Sequence, residues 1–127
     1  MKTIIVDTHA FIWFISGDKK LSKTARKGIE KADTIYLSVA SIWEMAIKIS
    51  LGKLELGQPF DKINEEIVNN GFELLDINFQ HALVLSELPF HHKDPFDRMI
   101  LAQAITENIP IISIDQHFPN YDVNIIW

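Results

Sequence analysis

Apolar residues in this chain follow two rhythms. Short apolar runs bounded by polar residues alternate with longer stretches in which apolar positions recur at helical spacing. Thr3-Ile4-Ile5-Val6 is the first short run and, with Lys2, predicts a buried β-strand over 2–6. Thr34 to Ser38 predicts a second strand, Glu73 to Ile77 a third, Pro110 to Ile114 a fourth, and Val123 to Trp127 a short edge strand. Between them lie the helical patterns. His9 to Ile15 is apolar nearly all round from Phe11 onward, and Gly17-Asp18 breaks it. Ser22 is placed to N-cap a second helix that turns Leu21 and Ile29 inward and its lysines to solvent. Ser38 or Ser41 opens a third, Ala40 to about Leu51, closed by Gly52, with Ile42, Met45, Ile49 and Ala46 on its apolar face. Pro59 suits the first turn of a fourth, running to Asn70 and ended by Gly71. Phe79 to Leu88 is a fifth, ended by Pro89. Asp94-Pro95 starts the sixth, with Asp as N-cap and Pro at the first position, and Asn108 and Pro110 stop it.

Strands that alternate with helices predict an α/β chain, with a parallel sheet covered on both faces and right-handed crossovers. The 127 residues, 47% of them hydrophobic, fit a single packed domain over 1–127. No repeat, low-complexity tract or linker interrupts it, and Gly52–Pro59 is the segment expected to be most loop-like and mobile. The absence of cysteine removes disulfides, thiolate zinc sites and a thiol nucleophile, and fits a reducing, cytoplasmic setting. Met1-Lys2 leads straight into a strand without the layout of a signal peptide, and no apolar stretch approaches a bilayer-spanning length. Seventeen acidic against twelve basic residues give a net charge of −5, which argues against a protein that coats nucleic acid. It leaves room for a nuclease, because clustered carboxylates bias the count and a local basic rim can steer substrate. The basic residues crowd into Lys19–Lys31 and into His91, His92 and Lys93, followed by Arg98.

Charge placement changes the picture more than charge total. Asp7 follows the first strand directly, and Asp115 follows Ile111-Ile112-Ser113-Ile114. Glu44 lies one to two turns into the helix after the second strand, and Asp97 lies in the first turn of the helix begun by Asp94. In a parallel sheet all four positions fall at the carboxyl edge, where such sheets place their ligand groups. Carboxylates gathered there repel unless something positive sits between them, and an all-oxygen set suits Mg²⁺ or Mn²⁺. Each residue has a bland alternative. An Asp after a strand is often a turn former or cap, Asp97 complements a helix dipole, and Glu44 could be a solvated helix residue. The coincidence of four on one edge is the stronger signal. His9, His81, His91, His92 and His117 show no metal-ligand spacing and are expected in core, cap or surface roles, His91-His92 at most touching phosphate.

The blocks Val6-Asp7-Thr8-His9-Ala10-Phe11, Ser41-Ile42-Trp43-Glu44, Lys48-Ile49-Ser50-Leu51-Gly52-Lys53, His92-Lys93-Asp94-Pro95-Phe96-Asp97-Arg98 and Ser113-Ile114-Asp115 resemble a PIN-domain protein, and most closely the VapC-type toxins of bacterial toxin–antitoxin pairs. The likeness spans nearly the whole chain in the family's order. It implies a three-layer α/β/α fold with strand order 3-2-1-4-5 and a Mg²⁺- or Mn²⁺-dependent ribonuclease. Asp7, Glu44, Asp97 and Asp115 match the acidic quartet. Asp7 and Asp97 would be the main direct ligands, with Glu44 and Asp115 binding directly or through water and helping to position the attacking water. Ser113 matches a hydroxyl lining the site, Thr8 matches a supporting one, and Asp94 fits a capping role. Where some relatives carry a further acid two places after the last Asp, this chain has His117, which favours one metal over two. In-line attack by a metal-activated water would leave a 5′-phosphate and a 3′-hydroxyl.

The resemblance also implies a cognate antitoxin, which often sends a basic side chain into the acidic pocket, and a homodimer. Phe11–Ile15 and Trp43 are expected mainly in the core, with a peptide groove as the alternative. Lys19–Lys31 is expected to be a solvated helix face. Two rivals stand beside the nuclease. A non-catalytic binding module on the same fold would have no reason to keep four repelling carboxylates. A phosphoacceptor receiver domain would need a Lys after its last core strand, and Ser113–Phe118 has none.

Overall fold

The computed structural model describes residues 2–127. Its parallel sheet is built from β1 (Thr3–Val6), β2 (Thr34–Ser38), β3 (Phe72–Leu75), β4 (Ile111–Ile112) and β5 (Ile125–Ile126), in the order β3-β2-β1-β4-β5. Helices α1 (Thr8–Ser16), α2 (Lys23–Lys31), α3 (Val39–Ser50), α4 (Ile63–Asn69), α5 (Phe79–Glu87) and α6 (Pro95–Glu107) connect the strands. The expected strand order is therefore the one observed.

Side chains on successive strand residues point to opposite faces, and β1 shows what that does here. Ile4 and Val6 enter one core with Phe11, Leu21, Ile29, Leu37, Met45 and Ile63, which draws α1 to α4 onto one face. Ile5 enters the other core with Ala40, Ile100, Ala104, Ile111 and Phe118 under α6. A strand buried on both sides reads as a continuous apolar run, which is why Ile4-Ile5-Val6 lacks alternation.

Local chemistry sets most boundaries. Ser22 caps α2 by accepting from the Ala25 N–H, and Gly17 takes a left-handed φ of 67° that lets the Asp18 N–H reach back to the Trp13 carbonyl at 2.9 Å. Of the two candidates for α3, Ser38 is the cap and accepts from the Ala40 N–H, whereas Ser41 is buried inside the helix. Asp94 accepts from the Phe96 and Asp97 N–H groups with Pro95 at the first helical position. Other boundaries move. The segment after Pro59 forms a 3₁₀ turn at Phe60–Lys62 before α4 starts, because no side chain caps a full helix there. The third strand begins at Phe72 and ends at Leu75, earlier than Glu73–Ile77. The fourth is only Ile111–Ile112 and the fifth only Ile125–Ile126, the lengths over which they pair. Asp115 thus stands in the loop three residues beyond β4, not at its last residue. Gly52–Pro59 has no helix or strand, yet Leu54 and Leu56 pack against the core.

The aromatic segment of α1 divides. Phe11 is buried edge-on to Phe72 at 5.1 Å, and Ile12 to Ile15 are half-buried against the same core. Trp43 departs from the expected core role: it is 61% exposed and packs edge-on to Phe96 at 5.2 Å. Phe11→Ala should cost about 3–5 kcal/mol, read as a lower urea midpoint with an unchanged slope.

Candidate functional site

The parallel register sends every strand's carboxyl end to one edge, and the helices that follow start there. Asp7 leaves β1 and caps α1, its Oδ1 accepting from the Ala10 N–H at 2.8 Å. The cap reading and the site reading of this residue are therefore compatible. Asp7, Asp97 and Asp115 line one cleft of about 220 Å³ together with His9, Trp13 and Ile114. Ser113 is buried behind them. Its hydroxyl lies close enough to the Asp7 carboxyl to favour that group's ionised form and accepts from the Asp115 N–H at 3.0 Å.

Glu44 is placed differently from the other three. It is buried and does not line the cleft. Its Oε1 accepts from the Thr8 hydroxyl at 2.7 Å, and Thr8 Oγ1 lies 2.9 Å from Ser41 Oγ. Its Oε2 meets Lys48 Nζ at 2.6 Å, one helical turn on. Burial disfavours the Lys48 ammonium, but its hydrogen bond to Glu44 and the charges of Glu44, Asp94 and Asp97 outweigh that, and its pKa is raised above the ordinary lysine value. Lys48 therefore stays charged and partly neutralises the acidic edge from behind.

The compensation is incomplete. Burial raises the Asp7 pKa and the charge of Asp115 adds to it, against the Ser113 and Ala10 hydrogen bonds and nearby His9. Burial also raises Asp97, and the charges of Asp94, Glu44 and Asp7 raise it further, against nearby His92, to about 7 from an ordinary 3.8. Carboxylates held at this cost to their ionised form are not fully matched by positive charge. Their hard oxygen donors fit a divalent cation such as Mg²⁺.

Two contributions of the His92–Arg98 segment were not legible in the sequence. The expectation for His92 is a core, cap or surface role, at most touching phosphate; instead its Nε2 lies 3.0 Å from Asp97 Oδ2 and 2.9 Å from Asp115 Oδ2. One ligand-type atom from each of these three residues lies within 4.8 Å of the others. Contact of His92 with the carboxylates depends on the fold of the Leu88–Lys93 loop, for which periodicity gives no signal. Arg98 is no part of a basic rim. It is buried, its guanidinium donates to the carbonyls of Leu85, Leu88, Pro89 and His92, and it lies 4.1 Å from the Phe90 ring centroid. The α2 lysines are solvent-exposed as expected, and Arg26 stacks on Phe14 at 5.2 Å. Among the described residues, no helix is long and apolar enough to cross a membrane.

Fold and cleft together are those of a PIN domain. The chain belongs to the PIN domain family, whose profile matches residues 4–124. It is similar to the ribonuclease VapC22 of Mycobacterium tuberculosis, at 25% identity over 122 residues, covering 95% of this chain and 93% of that protein. In three dimensions it is similar to VapBC2 from Rickettsia felis, solved bound to a fragment of its promoter DNA, with a TM-score of 0.74, 17% identity, and coverage of 97% and 96% of the two chains. DNA-bound VapBC from Salmonella typhimurium superposes with a TM-score of 0.73 at 17% identity over 98% and 97%.

The raised Asp97 pKa has a definite consequence for stability. Between 3.8 and about 7 the folded state holds a proton that the unfolded state releases. Stability of the metal-free protein should therefore fall as pH rises through that window. Asp97→Asn should flatten the fall and raise the melting temperature at neutral pH. Thermal melts of both proteins in chelator across the window check this, and parallel curves would show that Asp97 carries no such strain.

Proposed function

We propose that this chain is a divalent-metal-dependent endoribonuclease and the toxin of a toxin–antitoxin pair. The observation that carries the proposal is the convergence of Asp7, Asp97 and Asp115 on one cleft, with Asp97 pushed up to about 7 by burial and by its acidic neighbours. The ribonuclease name of the Mycobacterium relative supports RNA as substrate. The VapBC complexes among the structural neighbours support a protein antitoxin as partner.

Asp7, Asp97 and Asp115 would hold Mg²⁺ or Mn²⁺, directly or through water. The bound ion would supply Lewis-acid stabilisation of a phosphoryl oxygen and an acidified water. The chain's own groups do the rest. Ser113 orients the Asp7 carboxyl and, by accepting from the Asp115 N–H, ties the two strand-end segments together. Glu44, with both oxygens engaged by Thr8 and Lys48, acts through its charge behind Asp97 rather than as an open ligand. Thr8 keeps it in that place. Asp94 caps α6 and adds negative potential at Asp97. The reaction assigned is hydrolysis of an RNA phosphodiester by in-line attack of water, leaving a 5′-phosphate and a 3′-hydroxyl.

The antitoxin's seat is assigned to the apolar groove along α3 and α4. Ile49, Leu54, Leu56 and Phe60 line one part, and Ile42, Phe60, Ile63 and Ile67 the adjoining part. An amphipathic helix or strand suits it. A homodimer is part of the same proposal.

Asp7→Asn and Asp97→Asn should each lower Mg²⁺-dependent cleavage of total RNA by at least about a hundredfold, with far-UV circular dichroism unchanged. Mg²⁺ at roughly a hundredfold excess over its dissociation constant should stabilise the wild type by about 2.7 kcal/mol and the variants far less. A wild type that binds Mg²⁺ but cuts no RNA would favour a binding module on this fold.

A further inference from the structure

His92 is a side chain outside the acidic quartet that lies within 3.0 Å of two of the candidate ligands. Its ring is held on every side. Its Nδ1 is 3.1 Å from the backbone nitrogen of Asp94, and that N–H can only donate. The His92 N–H donates to the Tyr121 hydroxyl at 2.9 Å, and that hydroxyl donates on to the Pro89 carbonyl at 2.9 Å. The His92 carbonyl accepts from the buried Arg98 guanidinium at 3.2 Å. His117 and Phe118 pack against the ring, with centroids 4.8 and 6.1 Å away.

The Nδ1 contact decides the tautomer. A nitrogen that accepts from a backbone N–H carries no proton, so the ring proton sits on Nε2. That proton is shared with Asp115 Oδ2, hydrogen-bonded at 2.9 Å, while Asp97 Oδ2 lies 3.0 Å from the same nitrogen. For Nε2 to bind a cation through its lone pair, the proton would have to move to Nδ1, where it would point at the Asp94 N–H. The shape of a His-Asp-Asp metal triad is present, but the hydrogen bonding runs the other way.

We propose that His92 is a positioning residue: its Nε2–H holds Asp115 by a hydrogen bond against Asp97, fixes the separation of the two repelling carboxylates, and sets the orientation in which they meet a cation, without itself being a ligand. Asp115 shows how complete the hold is, since its Oδ1 also accepts from the His117 N–H at 2.8 Å. Asp97 rides on the rigid first turn of α6 and Asp115 on an irregular loop, so the hydrogen bond from His92 to Asp115 holds the compliant element against the stiff one. The pocket-building role of Arg98 and Tyr121 then has a purpose: they shape the loop that carries the ring. Any effect of His92 on cleavage depends on the nuclease function proposed above, whereas the tautomer does not.

Long-range ¹H–¹⁵N correlation spectra of the full-length labelled protein test the tautomer directly, with His92 assigned by its loss in His92→Gln. The Nε2–H form is expected both without metal and with Mg²⁺. An Nδ1–H form, or loss of the Nε2 proton on adding Mg²⁺, would overturn the proposal. Mn²⁺ binding, followed by the electron paramagnetic resonance of the free ion, should weaken about 10–100-fold in His92→Ala. It should largely recover in His92→Gln, whose amide N–H can replace the donor. In RNA cleavage, His92→Ala should lower kcat while KM changes little. A folded His92→Ala protein that binds Mn²⁺ like the wild type would also overturn it. A wild type that cuts no RNA would remove the nuclease assignment and leave His92 to be decided by the spectra alone.

Discussion

Mutual repulsion among carboxylates at the carboxyl edge of a parallel sheet is the constraint to which the rest of this molecule answers. Asp7, Asp97 and Asp115 share a cleft, with Glu44 buried behind and Asp94 beside it. Left alone, such a cluster would splay apart or take up protons. The protein meets the charge with short polar contacts: Ala10 and Ser113 on Asp7, Thr8 and Lys48 on Glu44, His92 on Asp97 and Asp115. Lys48 offsets part of the charge, and the other contacts hold the groups in place without neutralising them. What remains uncompensated is visible at Asp97, and it is the part a divalent ion would fill.

Holding repelling groups together requires a stiff frame, and the frame is apolar. β1 is buried on both faces, so the strand that delivers Asp7 has no freedom to shift. α6 is anchored through Ile100, Leu101 and Ala104, which fixes the turn that carries Asp97. The Leu88–Lys93 loop buries Leu88 but leaves Pro89 and Phe90 exposed, and the buried Arg98 and Tyr121 hold its remaining backbone. Two cations thus do different work. Lys48 offsets charge, while Arg98, which donates only to carbonyls, shapes backbone.

Features governed by neighbours in the chain were legible from the sequence. β2 occurs over the residues its pattern predicts, and the caps Ser22 and Asp94 stand where their side chains can reach nearby N–H groups. Strand ends were read less well, because β4 and β5 are only as long as their pairing and pairing is a tertiary matter. Trp43 misled for a similar reason. Its size suggested burial, but it sits on the side of α3 that faces outward beside Phe96. Glu44 was legible as a carboxylate out of place on a packed stretch. That Thr8 and Lys48 occupy both its oxygens was not.

The sequence by itself determined the α/β class, the alternation of strands and helices, and the acids available at strand and helix ends. Those follow from periodicity and from side chains acting within a few residues of themselves. Tertiary structure decided which acids share the cleft, that Glu44 stands behind it, and that His92 bridges Asp97 and Asp115. Those contacts cross 23 residues between His92 and Asp115 and 36 between Thr8 and Glu44. Over such separations local preference carries no information, and only the packing of helices on the sheet brings the groups within hydrogen-bonding reach.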